Sequence, residues 1–182
     1  MDKKITILGF TGSLRKGSYN MAALRAANEL MPEGAVLNIV ELGDIPFLNE
    51  DLEAEGIPQV VVDFKSKIAD ADALLIATPE YNYSIPPVLK NALDWASRGK
   101  DSPLSGKPAV IISASPGMLG GARVQYHLRQ VCVSLNLLLI NKPEVFIGNA
   151  NTKFDEKGNL TDERTKNSIS RVLEALVEIV HK

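Results

Sequence analysis

Ile5-Thr6-Ile7-Leu8-Gly9, followed by Gly12-Ser13-Leu14-Arg15-Lys16-Gly17-Ser18-Tyr19-Asn20, decides the architecture. The first piece is a short apolar run ended by glycine, and it reads as a strand. The second is a polar loop that opens a helix over 19–31. Met21, Ala23, Leu24, Ala27 and Leu30 fall near helical spacing there, and Pro32 stops it. The same unit recurs further on. Ala73-Leu74-Leu75-Ile76-Ala77 is a continuous apolar run, as expected of a strand buried on both faces. Thr78-Pro79-Glu80-Tyr81-Asn82-Tyr83-Ser84-Ile85-Pro86 then leads into a helix over 88–97 with Leu89, Ala92, Leu93 and Ala96 on one face.

Between and beyond these units the pattern continues. Residues 36–42 alternate as a strand, and 43–56, with Pro46, Phe47 and several acids, read as a loop. A helix over 58–70 starts on Pro58, which a first turn tolerates. Residues 99–108 form a polar connection, 109–113 a buried strand, and 122–135 a helix with Leu128, Val131, Cys132 and Leu135 as its stripe. Residues 137–140 and 144–147 flank Pro143, so the last strand is interrupted. The chain closes on a helix over 161–181 with Ile169, Val172, Leu173, Leu176 and Val180 facing inward. Strands alternating with helices predict an α/β doubly wound sandwich. It has a five-stranded parallel sheet in the order 2-1-3-4-5 and helices on both faces. In that order the switch point lies between strands one and three. The two unusual loops follow those strands, at the carboxyl edge where open α/β sheets bind ligands.

Composition narrows the function. The length predicts a single domain over 1–182, and a formal net charge of −2 offers no basic field for nucleic acid. No apolar run approaches the roughly 18 residues that span a bilayer. Met1-Asp2-Lys3-Lys4 enters the first strand without an apolar leader, so a cytoplasmic location is expected. Cys132 is the single cysteine, which excludes an internal disulfide.

The first loop carries what a phosphate needs. A helix N-terminus presents unpaired N–H groups and the positive end of the dipole. Ser13 and Ser18 add hydroxyls, Asn20 an amide, and Arg15 a planar fork that matches two phosphate oxygens. Gly12 and Gly17 allow a close backbone. The plainer reading is a strand-to-helix turn with Ser18 as the N-cap. A nucleotide-triphosphate loop needs lysine after its second glycine. Ser18 stands there, with Lys16 on the wrong side of Gly17. Gly9, Gly12 and Gly17 also miss the dinucleotide spacing. A monophosphate remains.

The second loop suits a flat ring. Pro79 and Pro86-Pro87 stiffen it, Asn82 presents a donor and an acceptor, and Tyr81 and Tyr83 give apolar area with a polar tip. The plainer reading of Tyr83 is burial between subunits, and of Glu80 a solvated or helix-capping carboxylate. Ser113-Ala114-Ser115-Pro116-Gly117 supplies small residues for a third side.

With these segments in view, the sequence resembles the flavodoxin-like NAD(P)H-dependent FMN reductases, in particular their bacterial chromate and quinone reductase branch. Leu89-Lys90-Asn91-Ala92-Leu93-Asp94-Trp95, Gly120-Gly121-Ala122-Arg123 and Tyr126-His127-Leu128-Arg129-Gln130 extend the likeness to about Pro143. The resemblance implies FMN, with Ser13, Arg15, Ser18, Tyr19 and Asn20 around its phosphate. It sets Pro79, Glu80, Tyr81 and Asn82 beside the isoalloxazine, and Ser115 and Gly117 along another side. It also implies NAD(P)H as co-substrate and a homodimer or homotetramer, with Tyr83, Arg123, Tyr126 and Glu144 between subunits. For Arg123 and Glu144 the plainer reading is a surface ion pair. Pro87 departs from relatives, which often carry glycine there.

In that reading the cofactor carries the chemistry and no protein group is catalytic. The segment around Ser115 is no nucleophile elbow. His127 reads as structural or interfacial, Cys132 as core, and Trp95 as core or interface. The acceptor would be a quinone, free flavin, an azo compound or a metal oxyanion such as chromate. The rivals are a flavodoxin-type electron carrier, which net −2 supports poorly, and a non-redox binder of a phosphorylated metabolite.

Overall fold

Side chains alternate across each central strand and divide the interior into two layers. Ile7 of β1 (Ile5–Thr11), Leu75 and Ala77 of β3 (Ala73–Thr78), and Val110 and Ile112 of β4 (Pro108–Ala114) enter one layer. They pack beneath α1 (Tyr19–Glu29) and α6 (Glu163–Val180). Leu8, Phe10, Leu74, Ile76 and Ile111 enter the other, beneath α3 (Gln59–Asp70), α4 (Pro87–Ser97) and α5 (Ala122–Ser134). β3 is buried along its whole length, because helices cover both of its faces. The computed structural model describes residues 4–181, so the reading of Met1-Asp2-Lys3 as lacking a leader lies outside the described residues.

All strands pair in parallel, in the order β2-β1-β3-β4-β5, with β2 at Ala35–Val40. The break at Pro143 is real. β5 (Leu138–Leu139) pairs with the start of β4 and β6 (Val145–Ile147) with its end, so the expected fifth strand is two pieces and the sheet counts six strands.

One element departs from expectation. The stretch read as a loop over 43–56 contains a helix, α2 (Glu50–Glu55). Asn49 caps it by accepting the Asp51 N–H at 2.9 Å, with Glu50, Asp51 and Glu53 in the first turn. No residue of α2 is buried, so apolar periodicity could not reveal it. Glu53 anchors it instead, taking two bonds from Arg98 Nε at the end of α4, at 2.9 and 3.0 Å.

The Leu89–Trp95 segment has a structural purpose. Asn91 accepts from the Leu48 N–H at 2.8 Å and donates to the Pro46 carbonyl at 2.9 Å, and Trp95 Nε1 donates to that carbonyl at 2.8 Å. Trp95 is fully buried, as the core alternative for it required.

The N-terminus of α1 is tied to the end of β4 by one side chain. Asn20 Oδ1 accepts the Ala114 N–H at 2.9 Å, and Asn20 Nδ2 donates to the Ala114 carbonyl at 3.0 Å. Both bonds are buried, and truncation would leave a backbone donor and acceptor unpaired at about 1–3 kcal/mol each. Asn20→Ala therefore lowers the stability from urea unfolding by at least about 2 kcal/mol. Asn28→Ala, on an exposed face of the same helix, changes it by less than about 0.5 kcal/mol.

Candidate functional site

β1, β3 and β4 end side by side, and their following loops enclose one open cavity of about 210 Å³. Ser13, Arg15, Ser18, Tyr19, Asn20, Pro79, Glu80, Tyr81 and Ser115 line it, together with Ala114 and Pro116. Thus residues more than a hundred positions apart in the chain meet at the switch point. Asn82 and Gly117 do not line this cavity. The Gly117 N–H bonds the Ser115 hydroxyl at 3.1 Å, and its carbonyl takes N–H groups from Gly120 and Asn149, each at 3.2 Å.

At one end of the cavity the backbone is rich in unspent donors. The N–H groups of Leu14, Arg15, Lys16, Gly17 and Tyr19 have no acceptor among the described residues; Arg15 and Tyr19 line this cavity, and Leu14, Lys16 and Gly17 line the two neighbouring cavities on the same loop. They sit at or just before the α1 N-terminus, where the helix dipole adds positive potential. Ser18 is an N-cap, its Oγ accepting from the Met21 N–H at 3.2 Å, so the plain capping reading holds for that oxygen while the hydroxyl proton remains free to donate. Asn20, expected to offer an amide to the phosphate, lines the cavity, and its pairing with Ala114 leaves one amide N–H for such a contact. Arg15 donates to the Gly17 carbonyl and lies 5.3 Å from the Tyr19 ring centroid, which holds the guanidinium over the loop. Gly12 answers to packing rather than to a ligand. A Cβ there would meet Leu89 Cβ at 2.8 Å and Pro86 Cβ at 3.0 Å, so the glycine lets α4 close onto β1.

The other end is firm and more apolar. Thr78 Oγ1 donates to the Pro79 carbonyl at 2.9 Å. Tyr81 and Ser84 exchange backbone bonds of 3.1 and 2.9 Å around a tight turn, with Asn82 and Tyr83 both left-handed at φ 48° and 66°. A tyrosine at positive φ is strained, and its surroundings hold it there. The Arg123 guanidinium stacks 3.7 Å from the Tyr83 ring centroid, and the Ser84 hydroxyl pairs with His127 Nδ1 at 3.0 Å. Glu80 does cap a helix, but across space: its carboxylate accepts from Arg123 Nε at 2.7 Å and from the Val124 N–H at 3.2 Å, at the start of α5.

The residues expected between subunits have these partners within the chain. The Arg123–Glu144 ion pair is not formed, because Glu80 takes Arg123 and Lys142 takes Glu144 at 2.5 Å. The Lys142 bond, with help from Tyr126, holds the Glu144 carboxyl below its usual range. Tyr83 and Tyr126 are exposed. Cys132 is fully buried, and burial pushes its thiol up to about 12, so it is core.

Arg25, which belongs to no sequence motif, stands beside the first loop. It lines two further cavities flanking the first loop, one of about 280 Å³ with Ser13, Lys16 and Glu41, and one of about 380 Å³ with Ser18, Tyr19 and Lys157. A lone arginine on a helix belongs to no motif and left no signal. Among the described residues, no three His, Cys, Asp or Glu side chains are grouped to hold a metal, and no helix is long and apolar enough to cross a membrane.

Comparison with known proteins bears on the family and the fold. Residues 5–152 match the family model described as NADPH-dependent FMN reductase. A NAD(P)H-dependent FMN reductase of Pseudomonas aeruginosa is 51% identical, over 97% of this chain and 95% of that protein. A quinone reductase of Escherichia coli is 40% identical, over 100% of this chain and 98% of that protein. The solved flavoenzyme NAD(P)H:(acceptor) oxidoreductase of Paracoccus denitrificans superposes with a TM-score of 0.89 at 33% identity, covering 97% of both chains. By family model, full-length identity and fold together, this chain belongs to the NADPH-dependent FMN reductase family.

Proposed function

We propose that this chain is a single-domain, FMN-dependent oxidoreductase that takes reducing equivalents from NAD(P)H and passes them to small acceptors, quinones first among them. The observation that carries the reading is one cavity that Ser13, Arg15, Ser18 and Tyr19 at the α1 N-terminus share with Pro79, Tyr81 and Pro116, the N–H groups of Arg15 and Tyr19 being unpaired among the described residues. A phosphate fits the first group and a flat heterocycle the second, which is the outline of FMN. The relatives named as quinone reductases support quinone as acceptor. Free flavins, azo compounds and oxyanions such as chromate are the further acceptors in this reading.

FMN, if held by the two loops, would supply the redox chemistry between NAD(P)H and the acceptor. The protein does the rest by placement. The loop amides, Ser13 and Ser18 hold the phosphate, and Arg15 neutralises it with a fork already fixed against Tyr19. Asn20 keeps that loop at a set distance from Ser115, through Ala114. Pro79, the Glu80 backbone and Tyr81 form the stiff rim of the ring, with Asn82 and Gly117 assigned to its outer edge. We assign the exposed Tyr83, Tyr126 and Arg123 to contacts between subunits of a homodimer or homotetramer, with Glu144 beside them. Tyr83 is 67% and Tyr126 54% exposed, which leaves both rings accessible to a partner subunit.

Two outcomes are expected. Purified protein reconstituted with FMN shows a bound-flavin spectrum that bleaches on anaerobic mixing with NADH or NADPH. Bound flavin that fails to bleach indicates an electron carrier instead, and no bound flavin removes the reading. In a fluorescence titration, Arg15→Ala weakens FMN binding by about 1.5–3 kcal/mol, roughly ten- to a hundredfold in Kd, while an unchanged Kd takes Arg15 out of the site.

A further inference from the structure

The ring end of the cavity is built by two loops distant in sequence, and the first turn of α5 holds both. Glu80 is bonded to Arg123 and Val124 on one side of that turn. Gln125 acts on the other. It is fully buried, and its Nε2 donates to Ser113 Oγ and to the Val145 carbonyl, each at 2.8 Å. Ser113 in turn donates to the Gly120 carbonyl at 2.6 Å. One amide therefore joins β6, β4 and the loop that runs from Ser115 to Gly121.

That loop has little slack. A Cβ on Gly120 would lie 2.6 Å from the Gly148 nitrogen, and one on Gly148 would lie 2.3 Å from the Met118 carbonyl oxygen. The Ser115 N–H also bonds the Ile147 carbonyl at 3.0 Å. Displacement of Gly120 is transmitted to Ser115 and Pro116, which line the cavity. Gln125 is a poor choice for filling space alone. Its Oε1 is buried with no donor among the described residues, a penalty that leucine would avoid at similar volume.

We propose that Gln125 is a positioning residue for the flavin ring: through Ser113 and Gly120 it sets where Ser115 and Pro116 stand. The assignment rests on the flavin reading above. The test is FMN titration by fluorescence on the full chain, followed by stopped-flow reduction with NAD(P)H at saturating FMN. Gln125→Leu raises the FMN Kd at least tenfold and slows reduction at least tenfold. Ser113→Ala cuts the same link from its other side and does likewise, and the double variant is no worse than the more severe single one. Leu128→Val, a core truncation one turn along α5, lowers the thermal midpoint but leaves both readouts within twofold of wild type. The proposal is overturned if Gln125→Leu or Ser113→Ala binds FMN and is reduced as wild type. It is overturned equally if Leu128→Val weakens both readouts as much as they do. Wild-type protein that binds no FMN refutes the flavin reading, and this assignment with it.

Discussion

The paired hydrogen bonds between the Asn20 amide and the Ala114 backbone are the constraint on which the site depends. A parallel sheet ends in backbone groups that its neighbours no longer satisfy, and a buried unpaired one is expensive. Asn20 answers that need for β4 and, in doing so, fixes the first turn of α1 beside it. The loop before α1 then keeps the N–H groups of residues 14–17 without an acceptor among the described residues, with Ser18 as the cap that ends it. The same rule shapes the ring end, where Glu80 satisfies the start of α5. Polar side chains that look like ligand contacts in the sequence thus serve the backbone first. What faces the cavity is what remains after that service.

The ionisable and thiol side chains near the site, among the described residues, are engaged in the same way. Glu80 is engaged by Arg123 and Val124, His127 by Ser84, and Cys132 lies in the core. The carboxyls held below their usual range, Glu53, Asp155 and Asp162 among them, owe it to Arg98, Asn159 and Thr165, and none of them lines the cavity at the switch point. Such a site binds and orients. The reactivity comes from a cofactor, whose requirements are shape, a phosphate cradle and restricted water.

The fold was legible because its central strands are continuous apolar runs and its long helices carry one clear stripe each. Ile5 to Gly9, Ala73 to Ala77 and the stripe from Ile169 to Val180 needed no tertiary information. Pro143 announced the split of the last strand. The helix α2 escaped because it buries nothing and is held by Glu53 and Arg98, a contact no periodicity records. In the site, the two loops were legible as chemistry, but not how each residue is used. Gly12 is set by Leu89 and Pro86, Asn20 by Ala114, and Arg123 by Glu80 rather than Glu144, and each of these depends on a neighbour far away in the chain. Gln125 carried no signal at all, since a glutamine on an amphipathic helix reads as surface.

The central claim is that one ligand bridges the loops after β1, β3 and β4 at the carboxyl edge of the sheet. Backbone amide shifts of the isotope-labelled chain, followed by NMR during FMN titration, test it most directly. The account predicts shifts concentrated in 13–20, 79–82 and 114–117, with little change at the opposite edge around Ala69 to Asp72 and Ser105 to Lys107, where a separate surface cavity lies. Shifts centred on that opposite edge, or confined to the first loop alone, would contradict it.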